Sequence, residues 1–297
     1  MPEGTRPAAD PAPGRAIETR KLAGALGAEI AGVDLAQPLS ETAAGAIRAA
    51  FREHLVLQFH GQRLCPEQQM AFTRQFGSLM VTPFVKAMEG YPYVVAVLKE
   101  ADERGISTFG NAWHADFTSL PAPPLGSVLY ALETPSYGGD TLFANMYAAY
   151  DALSPGMQRM LEGMRAIHVG KPYGTKYGPP ADMRVSRSIA IERNRPEADA
   201  EIAHPVVRMH PETGRKSLFV NPIYTLRFAD MTEAESRPIL EQLYAHAVRP
   251  EFTCRLHWRE GDLAIWDNRC TLHYAVNDYD GQRRLMHRTM VEGDRPV

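Results

Sequence analysis

The chain has 297 residues and a mass of 33.0 kDa, enough to bury a sizeable core. Hydrophobic residues at 44% and charged residues at 23% exclude wholesale disorder. Thirty-two Lys and Arg against 35 Asp and Glu leave a net charge of −3, which excludes a basic nucleic-acid footprint over the whole chain.

No apolar run approaches the ~18 residues of a membrane span. The start, Met1 to Pro13, is polar and Pro/Ala-rich, without the apolar stretch of a secretory signal. Cys65, Cys254 and Cys270 show neither metal-ligand spacing nor a disulfide pattern, so reduced thiols and a cytoplasmic location are expected. Residues 1–15 read as a disordered tail and residues 16–297 as one domain.

In chain order, Ser40 caps a helix running to about His54, with Ile47, Phe51 and Leu55 on one apolar face. Pro66 opens a second helix, which Gly77 ends. Tyr93–Leu98 and Ser127–Leu132 read as strands. Ser154-Pro155 starts a third helix, whose Met157, Met160, Leu161 and Met164 are expected in the core. Residues 171–200 lack periodicity and carry six basic side chains, including Arg187 and Arg193, the pattern of an active-site loop.

Val206–Met209 and Ser217–Val220 read as a strand pair around a turn at His210-Pro-Glu-Thr-Gly214. Thr232 and Glu235 form a capping box ahead of a fourth helix, whose first turn Pro238 is expected to bend. Phe252–Trp258 and Asp262–Trp266 complete the strands. Many short strands with peripheral helices predict a mainly β protein, a β-sandwich or jelly roll decorated by helices.

Chemistry centres on the histidines. A His-x-Asp/Glu pair in extended backbone points two ligands one way, and with a distant His it forms the facial triad of non-haem Fe(II) oxygenases. Ten histidines and 35 acidic residues give roughly one such pair by chance, so spacing alone decides nothing. The chain has two. His210-Pro-Glu212 sits in a turn, a poor platform for a metal, whereas His114-Ala-Asp116 lies between Trp113 and Phe117 in a partly buried, strand-like setting.

The run Asn111-Ala-Trp-His-Ala-Asp-Phe-Thr118 resembles the metal-binding segment of the taurine dioxygenase-like family of Fe(II)/2-oxoglutarate-dependent dioxygenases. So do Gly138-Gly-Asp-Thr-Leu142 and the stretch from Ile265 through His273 to Arg288. The likeness runs from about Gly27 to Pro296. Glu89-Gly-Tyr-Pro92 and Met231-Thr-Glu-Ala-Glu-Ser236 bring the chain close to the aryloxyalkanoate (phenoxypropionate) dioxygenase branch.

The resemblance implies a double-stranded β-helix, a distorted jelly roll. It implies Fe(II) held by His114, Asp116 and His273, with 2-oxoglutarate and O2 as cosubstrates. Arg284, with Thr141, matches the pair that holds the distal carboxylate of 2-oxoglutarate, a role suited to a planar guanidinium. Arg288 matches an arginine between cosubstrate and substrate. The carboxylate of Asp116 implies oxygenation, since related halogenases carry a small residue there.

Thr82 and Val85 stand where taurine-contacting residues are expected, and Tyr224 where an aromatic side chain meets the substrate. Asn111 is a further substrate candidate. The expected substrate is therefore a small organic anion with an apolar body, hydroxylated with release of succinate and CO2. No nucleic-acid or membrane partner is expected, and a homo-oligomer is. A metal-dependent hydrolase and a non-catalytic jelly-roll binding protein are the alternatives.

Overall fold

The computed structural model describes residues 17–178 and 187–297; the predicted tail at 1–15 and part of the loop at 171–200 lie outside them. The chain opens with strands Glu18–Lys21 (β1) and Ala28–Ala31 (β2), helix Glu41–His54 (α1) and strand Val56–Phe59 (β3). Helix Pro66–Thr73 (α2) precedes strands Leu79–Met80 (β4), Val95–Lys99 (β5), Gly126–Glu133 (β6) and Thr141–Asn145 (β7). Helices Met146–Asp151 (α3) and Pro155–Leu161 (α4) follow, then strands Arg165–His168 (β8), Ile202–Pro205 (β9), Val207–Met209 (β10), Lys216–Leu218 (β11) and Thr225–Phe228 (β12). Helix Glu233–Ala247 (α5) leads to strands Thr253–Leu256 (β13), Leu263–Asp267 (β14), Thr271–Ala275 (β15) and Arg284–Val291 (β16).

The large sheet has the order β1-β2-β3-β14-β6-β16-β4, with β5 also paired to β16. A smaller sheet, β13-β7-β15, packs against it, and the two enclose the interior of a distorted jelly roll. Strand alternation decides what lies where. Along β6, Leu129 and Ala131 face the interior while Val128 and Tyr130 meet a second core under α1 and α2. Along β14, Ala264 and Trp266 face inward and Leu263 and Ile265 outward. With both faces covered, these strands read as continuous apolar runs.

The same period of two places the polar residues. On β16, Met286 and Met290 lie in the interior core, so Arg284 and Arg288 share that face. On β7, Phe143 faces inward and carries Thr141 with it; on β15, His273 stands opposite Phe143.

The caps match the sequence. Ser40 Oγ accepts from Ala43 N, and Thr232 and Glu235 form a reciprocal capping box. Three expectations change. The Met stripe is not core: α4 ends at Leu161, which is buried, Met160 is 43% exposed, and Met157 and Met164 are only partly covered. A helix of seven residues presents one buried position, not four. Helix α5 continues through Pro238, which lies in its second turn, beyond the first turn that was expected to bend. The strand expected at Phe252–Trp258 is shorter, because Pro250–Phe252 forms a 3-10 turn and pairing with β7 covers only Thr253–Leu256.

Candidate active site

The His114–Asp116 segment is not a regular strand. His114 makes a single antiparallel bridge with His273, through His114 N to His273 O at 3.0 Å and His273 N to His114 O at 2.8 Å. The chain then turns at Phe117, whose φ of 47° ends the extended stretch. The bridge brings the two imidazoles to 4.1 Å between ring centres. His114 Nε2 lies 3.7 Å and His273 Nε2 3.9 Å from Asp116 Oδ1. One ligand atom from each of the three buried side chains lies within 4.8 Å of the others, so the group could hold a metal ion.

The protonation states suit that role. His114 Nδ1–H donates to Ala112 O at 2.7 Å, which fixes the tautomer and leaves Nε2 as a lone pair toward Asp116. Burial pushes His114 down and His273 to about 3, so both are neutral ligands at neutral pH. Burial alone would raise Asp116, but the Arg288 guanidinium beside it, with the hydrogen bond from Ser127, holds the carboxylate below its ordinary value. Ser127 Oγ donates to Asp116 Oδ2 at 2.7 Å, and Arg288 Nη1 lies 3.4 Å from Oδ1.

Beside the triad lies a cavity lined by Thr141, Leu129, Trp266, Arg284 and Arg288 together with His114 and His273. Arg284 is 3% exposed, yet its Nε and Nη2 have no partner among the described residues, and the same holds for Arg288 Nε and Nη2. The one acid near Arg284 among the described residues, Asp140, is taken by Arg255 and His257. Buried guanidinium N–H groups left open in this way need an anion. A dicarboxylate lying along this cavity fits them.

A second cavity is also lined by Phe109 and His114. Tyr224, Asn111, Tyr173, Ile191 and Ile223 lie in its wall. Thr82 and Val85 are buried but line neither cavity: Thr82 Oγ1 donates to the Met290 sulfur, and Val85 bridges to Ile191. His210 is a core residue, bonded to Asp267 Oδ2 at 3.0 Å while its Nδ1 accepts from Glu212 N and Thr213 N, which is the turn its sequence predicts. Sequence reasoning did not single out Ser127 or Asn268. Ser127 gives no signal in an apolar strand, and Asn268 sits inside the Ile265–His273 stretch without a motif role of its own.

The chain matches the family model described as taurine catabolism dioxygenase TauD, TfdA family, over residues 18–290. It is 36% identical to an alkylsulfatase of Acinetobacter baylyi, covering 95% of this chain and 87% of that protein. An alpha-ketoglutarate-dependent sulfate ester dioxygenase of Pseudomonas putida is 34% identical, with 95% and 91% covered. The (S)-phenoxypropionate/alpha-ketoglutarate-dioxygenase of Sphingobium herbicidovorans is 33% identical, with 94% and 96% covered. The solved structure of a taurine dioxygenase from Burkholderia xenovorans superposes with a TM-score of 0.79 at 34% identity, over 95% of this chain and 93% of that one. Fold, cavity chemistry and sequence agree that the chain belongs to the TauD/TfdA family and is an Fe(II)- and 2-oxoglutarate-dependent dioxygenase.

Proposed function

We propose that His114, Asp116 and His273 hold the Fe(II), that Arg284 and Thr141 bind the distal carboxylate of 2-oxoglutarate, and that the enzyme hydroxylates an organic anion with an apolar body. The observation that carries this reading is the buried triad beside two guanidiniums whose Nε and Nη2 groups lack partners among the described residues. Bound Fe(II), with 2-oxoglutarate and O2, supplies oxidative decarboxylation to succinate and CO2 and puts one oxygen atom into a substrate C–H bond.

This chain's residues do the rest. Arg284 offers two parallel N–H groups to a carboxylate, a geometry lysine lacks. Thr141 Oγ1 accepts from Trp258 Nε1 at 3.0 Å, which leaves the hydroxyl proton for the cosubstrate. Arg288 balances Asp116 and closes the cosubstrate cavity. Phe109, Phe117, Leu129 and Trp266 keep water from the reacting centre.

Sulfate esters are the first substrate class, supported by the two sulfate-ester relatives and by a substrate cavity walled with Tyr173, Tyr224, Ile191 and Ile223. Hydroxylation at the carbon bearing the sulfate oxygen gives an adduct that collapses to an aldehyde and inorganic sulfate. Aryloxyalkanoates are the second class, and taurine, small and zwitterionic, is disfavoured by the apolar wall. Three free cysteines fit a cytoplasmic setting, and no helix among the described residues is long and apolar enough to cross a membrane.

A panel read by succinate formation tests this: alkyl sulfates, alkanesulfonates, aryloxyalkanoates, N-substituted amino acids, taurine, and an uncharged amide of equal size. Alkyl sulfates lead the panel if the reading holds. An amide turned over as well as the acids overturns the anion, and taurine outperforming every larger anion overturns the apolar wall.

A further inference from the structure

The buried part of β6 carries one polar side chain on its interior face. Ser127 alternates there with Leu129 and Ala131, in a strand covered on both sides, and is fully buried. A hydroxyl in that setting is costly unless it is bonded. Among the described residues its side chain makes one hydrogen bond, and that bond goes to Asp116, with Oγ donating to Oδ2 at 2.7 Å. Gly126 lets the strand come this close. A Cβ at Gly126 would stand 2.6 Å from Trp266 O, so the start of β6 lies hard against β14, with Ser127 opposite Trp266.

Three residues hold Asp116, and their tasks differ. Asn268 bonds only its backbone. Arg288 Nη1 stands 3.4 Å from Oδ1, longer than the ~2.8 Å of a strong charge-assisted bond. Ser127 makes the short contact on the carboxylate itself. It occupies Oδ2, and Oδ1 is the oxygen that lies 3.7 Å and 3.9 Å from the two imidazole Nε2 atoms.

A triad of two histidines and one carboxylate suits an oxygenase because it leaves coordination positions open. A carboxylate free to turn and offer both oxygens would close one of them. Resting on the ligand set proposed above, we infer that Ser127 is a positioning residue: its hydroxyl engages Oδ2 so that Asp116 presents Oδ1 alone to the iron, and the position that 2-oxoglutarate needs stays free. Ser127 is not itself a ligand, and it acts through Asp116.

The test compares side chains of matched shape: Ser127→Ala against the unchanged enzyme, and Ser127→Thr against Ser127→Val, which differ in the hydroxyl at nearly equal volume. The readout is the visible absorption band that forms when Fe(II) and 2-oxoglutarate bind together, titrated without O2 at saturating Fe(II) to give the Kd of 2-oxoglutarate. Ser127→Ala and Ser127→Val weaken 2-oxoglutarate binding by about tenfold or more and displace the band, whereas Ser127→Thr stays nearer the unchanged enzyme. Thermal melting of the metal-free variants verifies that each is folded; a merely structural hydroxyl would move that melting temperature and leave the band in place. A folded Ser127→Ala variant whose band and Kd match the unchanged enzyme overturns the assignment, as do folded Thr and Val variants that are equally impaired. If iron stays bound in Asp116→Ala, the ligand set itself falls, an outcome distinguishable from failure of Ser127 alone.

Discussion

Asp116 and Asn268, 152 residues apart, hold each other by two hydrogen bonds: Asp116 N donates to Asn268 Oδ1 at 2.6 Å, and Asn268 Nδ2 donates to Asp116 O at 2.9 Å. Asn268 also donates to Pro124 O at 3.1 Å. The carboxylate proposed to bind the metal, on an irregular turn, is thereby fixed to the end of β14, one residue beyond Asp267. Asn268→Ala leaves a buried N–H and two carbonyls without partners, on the order of 3 kcal/mol. Urea unfolding should show that loss, and iron affinity should fall with it, because Asp116 is no longer held.

Substituting His114, Asp116 or His273 by Ala should abolish bound iron, measured by metal analysis, and 2-oxoglutarate turnover with it. Far-UV circular dichroism should change little, since the three sit on the rim of a core built by Phe143, Trp266 and Met286. Iron content unchanged in all three would refute the ligand set.

Arg284→Lys should raise KM for 2-oxoglutarate by about tenfold to a hundredfold, the equivalent of about 1–3 kcal/mol, with little change for the substrate. Thr141→Val should act in the same direction more weakly. It carries a second cost: Trp258 Nε1 loses its acceptor inside the core, so the melting temperature should drop as well.

His204 gives a pH dependence of known sign. Burial, with help from Arg208 and Arg165, pushes it down to about 4 despite its bond to Leu120 O at 2.9 Å. The unfolded chain takes up a proton near 6.5, the ordinary value, before the folded one does. This contribution to stability is full above 6.5, is lost as the pH falls from 6.5 to about 4, and amounts to about 3 kcal/mol. His168, edge-on to it with ring centres 5.3 Å apart and also pushed down by burial, adds in the same direction. His204→Gln should remove about 1.4 kcal/mol per pH unit from the slope of unfolding free energy in that window. An unchanged slope would count against a neutral, buried His204.

The site was more legible in the sequence than the fold around it. His114, Asp116, His273, Arg284 and Arg288 stand out because motif order ties residue type to chemistry; the structure places His114, His273, Arg284 and Arg288 in one cavity wall, with Asp116 against Arg288. Strands β1, β3, β8 and β12 escaped, being four-residue pieces whose burial depends on distant partners and leaves no alternation to read. Val56–Phe59 is buried at every position, which looks the same in a helix as in a strand. Thr82 and Val85 were placed by analogy at a substrate wall, and nothing local could say that Thr82 turns to Met290 instead.

The order of the large sheet sets the timetable of folding. Its middle is made by β14 and β16, each synthesised after every strand it pairs with, slotted between β3 and β6 and between β6 and β4. Until some 260 residues have been synthesised, β3 and β6 have no common neighbour, and His114 waits for His273 to pair with. The nascent chain therefore carries two unzipped sheet edges for most of its synthesis, and the final collapse closes contacts of very long sequence separation in one step. An enzyme built this way has no stable half: a ribosome stalled before β14 should display a protease-sensitive, chaperone-bound chain, and iron should enter only after release.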